Sequence, residues 1–351
     1  MTAVVWSPAT KLHVPKGEVW VGVPDPGDEV PERVDVIVAA LAAAGHALVE
    51  AVPHDDSVLA AVHDPAFLEH LRTVHATWMA SGIPERVGQD RVVPYMFATG
   101  AMLDGLPARI PVAVHARAGR YAFDTMTPVG PHTWSSARAA VDCALTAADL
   151  VLGGARSAYA LCRPPGHHVT RSAYGGSCYL NNAAVAAEAL RRGGHERVAI
   201  VDIDAHHGNG TASIFYDRAD VFYGSVHIDP GAGWFPHVVG FAEETGTGAG
   251  AGTTLNVPLP PETADEPWLA GVARLADGVH AHGATSLVVS LGVDAATDDP
   301  NSPLRITQDG YRRAGDLLRS LGLPAVLVQE GGYHLPTLGS LVAATVAPFD
   351  T

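Results

Sequence analysis

Five short apolar runs recur at intervals from residue 157 onward, with helical stretches between them, and this alternation restricts the available folds more than any other feature. The runs cover residues 157–162, 198–203, 221–227, 286–291 and 325–329. Each is rich in apolar residues rather than strictly alternating, as expected of strands buried on both faces. Helical periodicity over residues 133–152, 182–192, 268–282 and 308–321 separates them, and Gly193 and Gly194 close the second of these helices. Repeated strand–helix–strand units join parallel strands. The expectation is therefore an α/β fold, a single domain over residues 1–351 with a central, mainly parallel β-sheet flanked by helices on both faces. Upstream, residues 32–44 read as a helix, and Asp64-Pro65 supplies a cap and a first-turn proline for another over residues 67–78. Residues 79–132 are rich in Gly, Pro, Met and Arg without periodicity, and a stretch of that length inside a domain is expected to be a functional loop or lid. No repeat or linker divides the chain.

With 47% hydrophobic and 17% charged residues, the chain has the apolar content for a large core. A formal charge of -15 argues against a nucleic-acid partner, which requires clustered Lys and Arg, and favours a cationic small molecule. No run of about 18 apolar residues is present, so no membrane partner and a cytoplasmic location are expected. Cys143, Cys162 and Cys178 form no CxxC pair, which points to buried small hydrophobes rather than disulfides or a thiolate metal site.

The sharpest motif is VAIVDIDAHHGNG, Val198 to Gly210, in which a buried strand runs into Asp202, Asp204 and His206 at a spacing of two. That spacing puts them on one face, at the strand end where α/β sheets bind ligands. Oxygen plus imidazole suits a zinc-type ion, and one further ligand is required of another strand end. Asp294, directly after the apolar run in TSLVVSLGVDA, is preferred to His227, which lies beyond a small turn. A lone Asp here reads equally well as a helix cap; the cluster does not. In RPPGHH, Arg163 to His168, a stiff Pro-Pro-Gly bend holds His167 and His168, and imidazole is the usual general base near neutral pH. In EGGY, Tyr333 follows two glycines that permit a sharp turn and aims a hydroxyl at a developing oxyanion.

These segments, with GGSCYLNN from Gly175 and LGVDAATDDP from Leu291, resemble in order and content the histone deacetylase superfamily with its arginase/deacetylase-like fold. FPHVVGFAEETGTGAGAGTT, Phe235 to Thr254, resembles more narrowly the acetylpolyamine amidohydrolases. The resemblance implies a catalytic Zn2+ on Asp204, His206 and Asp294, with Fe2+ or Co2+ compatible with the same donors. It implies His168 as general base, His167 as its electrostatic or acid partner oriented by Asp202, Tyr333 at the oxyanion, and Gly176 and Phe235 in substrate binding. It also implies a structural K+ or Na+ near Asp202, Asp204, His206, Ser225 and Val226. The expected substrate is a small N-acetylated amine, the alternatives being acetyl-lysine in proteins or a noncatalytic acyl-group binder. An arginase-like two-metal centre is disfavoured by Gly208 and by the lack of an Asp-x-Asp pair at Asp294. The 79–132 segment is expected to narrow the entrance and contribute to a homodimer, with Asp90 or Asp124 as candidate partners for a distal ammonium. Three departures stand out. Asn209 replaces an Asp that partners the second histidine in many relatives, so His168 should have a lower pKa than in those relatives. Ser177 replaces an aromatic wall opposite Phe235, which implies a wider or more polar tunnel, and Asn301 puts an amide where an apolar rim residue is common.

Overall fold

Ten strands organise the computed structural model, which describes residues 1–350: β1 (Ala3–Trp6), β2 (Glu18–Trp20), β3 (Val23–Asp25), β4 (Leu48–Glu50), β5 (Ser157–Ala160), β6 (Val198–Asp202), β7 (Val221–Ile228), β8 (Thr254–Leu259), β9 (Ser286–Leu291) and β10 (Ala325–Gln329). Eight of them form one sheet in the order β4-β1-β5-β10-β9-β6-β7-β8, and every ladder in it is parallel. The β2–β3 pair is a separate antiparallel hairpin. Because side chains alternate across a strand, β6 sends Val198 and Ile200 to one face and Ala199 and Val201 to the other. The first face packs on helices Thr133–Leu152 and Asn182–Arg192. The second packs on Glu32–Ala43, Asp265–His282, Gln308–Ser320 and Leu335–Val346. Burial on both sides explains the apolar runs.

Helices Thr133–Leu152 and Asn182–Arg192 and strands β9 and β10 match the sequence reading at both ends. Asp64 caps Pro65–Met79 by accepting from the N–H groups of Ala66 and Phe67. Three sheet strands went unread. β1 and β4 are only four and three residues long, and β8 contains Asn256 and Pro258, so none offers a run that periodicity can detect. Within the nonperiodic stretch lie short helices Ile83–Val87, Gly100–Leu103 and Val114–Tyr121, tied down by bridges between Val92 and Val129 and between Ala122 and Tyr174. All three cysteines are buried and free, and no helix among the described residues is long and apolar enough to cross a membrane.

Candidate active site

With all sheet strands parallel, their carboxyl ends open on one edge, and the motif residues follow those ends. β6 closes on Asp202, which pairs in register with Ser225 of β7 and Ser290 of β9. The strand stops there, two residues before Asp204, so strand alternation does not extend to Asp204 and His206. Backbone-to-carboxylate bonds continue the path: Asp204 N donates to Asp202 Oδ1 at 3.2 Å and His206 N to Asp204 Oδ1 at 2.9 Å.

Asp204, His206 and Asp294 converge so that one donor atom from each lies within 4.8 Å of the others. His206 Nδ1 is 3.1 Å from Asp294 Oδ2 and 3.4 Å from Asp204 Oδ1. Both carboxylates are fully buried and are held by the N–H groups of Gly331 (2.8 Å to Asp204 Oδ2) and Ala205 (2.8 Å to Asp294 Oδ1). A Cβ on Gly292 would collide with Asp204, and one on Gly331 with both carboxylates, so two glycines make room for the pair. Two buried carboxylates this close repel each other unless a cation lies between them, and two oxygens with one imidazole fit a divalent ion of the zinc type. His227 is engaged elsewhere, its Nδ1 at 2.8 Å from Ser225 Oγ and its Nε2 at 2.8 Å from Gly240 O. Of the residues named for a monovalent cation, Asp202 lies opposite Ser225 across the β6–β7 ladder, with Val226 next in the chain.

The His167 and His168 rings sit 4.0 Å apart beside this cluster. His167 Nδ1 faces Asp202 Oδ2 at 3.0 Å, and its Nε2 is 3.7 Å from Asp204 Oδ1. Burial opposes protonation of His167, yet Asp204 and Asp202 raise its pKa well above the usual histidine value. His168 is driven the other way, first by burial and then by the positive charge at His167. Its Nδ1 donates to Asn209 Oδ1 at 2.7 Å, while Asn209 Nδ2 donates back to the His168 carbonyl at 3.3 Å. Glu330, a residue of the EGGY motif with no role read from sequence, accepts from the N–H groups of Gly166 (2.6 Å) and His167 (3.1 Å) and holds the histidine turn on β10. Tyr333 lies on the same loop as Glu330, with the Arg33 guanidinium 4.8 Å from its ring centroid.

Above the histidines, the Phe235 ring meets His168 edge-on at 4.7 Å. Facing Phe235 at 6.4 Å and tilted by only 22° is Phe123, which sequence reasoning did not single out. Its ring lies against Gly175, so a second aromatic ring faces Phe235 although residue 177 is serine. Main-chain pairing delivers it: Tyr174 N donates to Tyr121 O at 2.8 Å and Phe123 N to Tyr174 O at 3.1 Å. No sequence signal marks that pairing, because Phe123 lies in the nonperiodic stretch. Asp124 accepts from Gly176 N at 2.5 Å and Met126 N at 3.0 Å, so it is a loop-holding carboxylate rather than a free partner for an ammonium. Asp90 is paired with Lys16 at 2.6 Å and Arg91 at 3.3 Å, and Asn301 Nδ2 donates to Asp28 at 3.2 Å. Two acids, Glu18 and Glu29, line a recess beside Ser177; Glu29 is paired with Arg33 and Arg163, whereas the Glu18 pKa is pushed up to about 7 by burial and by Asp25, Asp124 and Asp28.

The description Histone deacetylase domain matches residues 28–349. The chain is 39% identical over 341 residues to an acetylpolyamine amidohydrolase of Mycoplana ramosa, covering 97% of each. It is 35% identical over 270 residues to histone deacetylase 8 of Arabidopsis thaliana, covering 74% of this chain and 69% of the other. The crystal structure of an acetylpolyamine aminohydrolase from Burkholderia pseudomallei superposes with a TM-score of 0.93 at 41% identity, covering 99% of this chain and 98% of that one. Strand order, the converging motifs and a match across nine-tenths of its length agree: this chain belongs to the histone deacetylase family.

Proposed function

We propose that this chain hydrolyses the amide of small N-acetylated amines of the acetylpolyamine class, releasing acetate and the free amine. The observation that carries the reading is the meeting of Asp204, His206 and Asp294 with the His167–His168 pair at the base of a slot walled by Phe235 and Phe123. Asp204, His206 and Asp294 would hold a divalent ion, zinc by preference with iron(II) or cobalt(II) suited to the same donors, which polarises the acyl carbonyl and acidifies water. His168 commits Nδ1–H to Asn209, which leaves the Nε2 lone pair to take the proton of the attacking water. His167, kept protonated by Asp202 and Asp204, opposes the negative charge that builds beside it. The Tyr333 hydroxyl donates to the tetrahedral oxyanion, and its pKa, raised well above the usual phenol value chiefly by burial, keeps that proton in place. Potassium or sodium at Asp202, Asp204, His206, Ser225 and Val226 would offset carboxylate charge behind the site.

The small-amine assignment is supported by the relatives' names and by the facing Phe235 and Phe123 rings beside His168. The reading extends to a cytoplasmic homodimer in which the 79–132 segment acts as a lid and packs on its counterpart; Tyr95, Leu106 and Val112 in that segment are 71%, 70% and 95% exposed. The test is amine release from acetylputrescine and from an acetyl-lysine peptide, with and without chelator. Chelator-sensitive turnover that favours the diamine supports the reading. Preference for the peptide would reassign the chain as a protein deacetylase, and no turnover of either would leave acyl-group binding.

A further inference from the structure

The Tyr333 hydroxyl makes no protein hydrogen bond among the described residues, so its aim depends on how its backbone and ring are held. The backbone before it is loose by composition. Gly331 and Gly332 precede it, and Gly332 sits at φ +122°, where only glycine is at ease. Two side chains take up that freedom from opposite sides. Arg33 donates from Nη2 to Glu330 O at 2.6 Å and from Nε to Gly332 O at 2.7 Å, while its guanidinium lies over the phenol ring. On the other side, Asp299 Oδ2 accepts from Tyr333 N at 2.7 Å and from His334 N at 3.2 Å. Its second oxygen accepts from Asn301 N at 3.0 Å, so the buried carboxylate is fixed in turn.

Asp299 stands five residues after Asp294 on the loop that leaves β9. That loop is rigid: Asp299 N donates to Ala296 O at 3.0 Å, Thr297 N to Ile306 O at 3.1 Å, and Val293 N reaches across to Gly331 O at 3.1 Å. One short loop therefore offers a candidate metal ligand at its start and, at its end, the carboxyl group that grips the tyrosine backbone. We propose that Asp299 is a positioning residue for the reaction, setting the distance and direction of the Tyr333 hydroxyl relative to Asp294. It touches no substrate and acts only through the phenol.

The proposal rests on the hydrolase reading above, and a double-substitution cycle separates the two. Asp299→Ala is expected to lower kcat on acetylputrescine by about 30-fold or more, the scale of misplacing an oxyanion donor, with KM and bound metal unchanged. In a Tyr333→Phe background the same substitution is expected to cost less than about 2-fold, since no hydroxyl remains to be aimed. Asp299→Asn, which keeps one acceptor oxygen and the side-chain shape, should recover part of the loss and is the variant to use if Asp299→Ala fails to fold. Equal losses in the two backgrounds, or loss of metal on substitution of Asp299, would overturn the proposal. Absence of amine release by the parent chain would remove the reading beneath it and the proposal together.

Discussion

The imidazole of His168 rests on a neutral amide: its Nδ1 is 2.7 Å from Asn209 Oδ1, whereas the neighbouring His167 has the carboxylate of Asp202 at 3.0 Å. Replacing Asn209 by Asp would put a negative charge where the neutral acceptor stands, favour the imidazolium and raise the His168 pKa. A base that must be neutral to act is then lost at a higher pH. The acidic limb of the kcat/KM profile of Asn209→Asp is therefore expected to move up by about 1 pH unit or more. An unmoved limb would show that His168 is not the titrating base.

Asp294→Ala is expected to abolish metal retention, measured as metal per chain after dialysis and reconstitution. Gly292→Ala reaches the same end by another route, since its methyl group would push Asp204 out of place while leaving all three donors in the sequence. Full metal content in Asp294→Ala would turn attention to other donors.

Phe123 and Ser177 are expected to trade places as partners of Phe235. Phe123→Ala should raise KM for acetylputrescine by about tenfold, the scale of losing one apolar wall, and admit bulkier acyl groups. Ser177→Phe alone should block turnover by crowding the slot, and the double variant Phe123→Ala with Ser177→Phe should regain activity. Failure of the double variant to exceed Ser177→Phe would mean that the two positions do not share a wall.

Glu18→Gln is expected to raise KM for acetylputrescine several-fold and to leave that for N-acetylbutylamine, which lacks the distal ammonium, unchanged. Equal effects on the two amides would remove Glu18 from cation recognition.

His63 is buried and neutral, accepting from Asn181 N at 3.0 Å through Nε2 and donating from Nδ1 to Thr170 O at 3.1 Å; burial lowers its pKa from 6.5 to about 4. Its contribution to stability is complete above pH 6.5 and is lost as the pH falls toward 4, because the unfolded chain binds the proton first. That loss amounts to roughly 3 kcal/mol at the acid end. Urea titrations across this range should show it, and His63→Gln should flatten that part of the curve.

The parallel sheet was legible because strands buried on both faces are mostly apolar, as the Leu-Val-Val and Ala-Val-Leu-Val runs of β9 and β10 are. Asp202, Asp204, His206 and Asp294 were legible because strand ends of a parallel sheet share one edge, so residues after separate runs converge there. β1 and β4 were not, since four and three residues carry no period. Even within the motif, the strand ends at Asp202, and it is backbone bonds to carboxylates that carry the chain on to His206.

By itself, then, the sequence determined the α/β sheet, the edge on which the site lies and the donors that meet there, since apolar runs and their terminal residues are local properties. Only the tertiary structure decided what encloses and aims those donors. Phe123 reaches the slot because Ala122 bridges Tyr174 across 52 positions of chain, and Asp299 reaches the Tyr333 backbone across 34. Contacts of that range depend on how loops pack after the sheet has formed, and no local pattern encodes them.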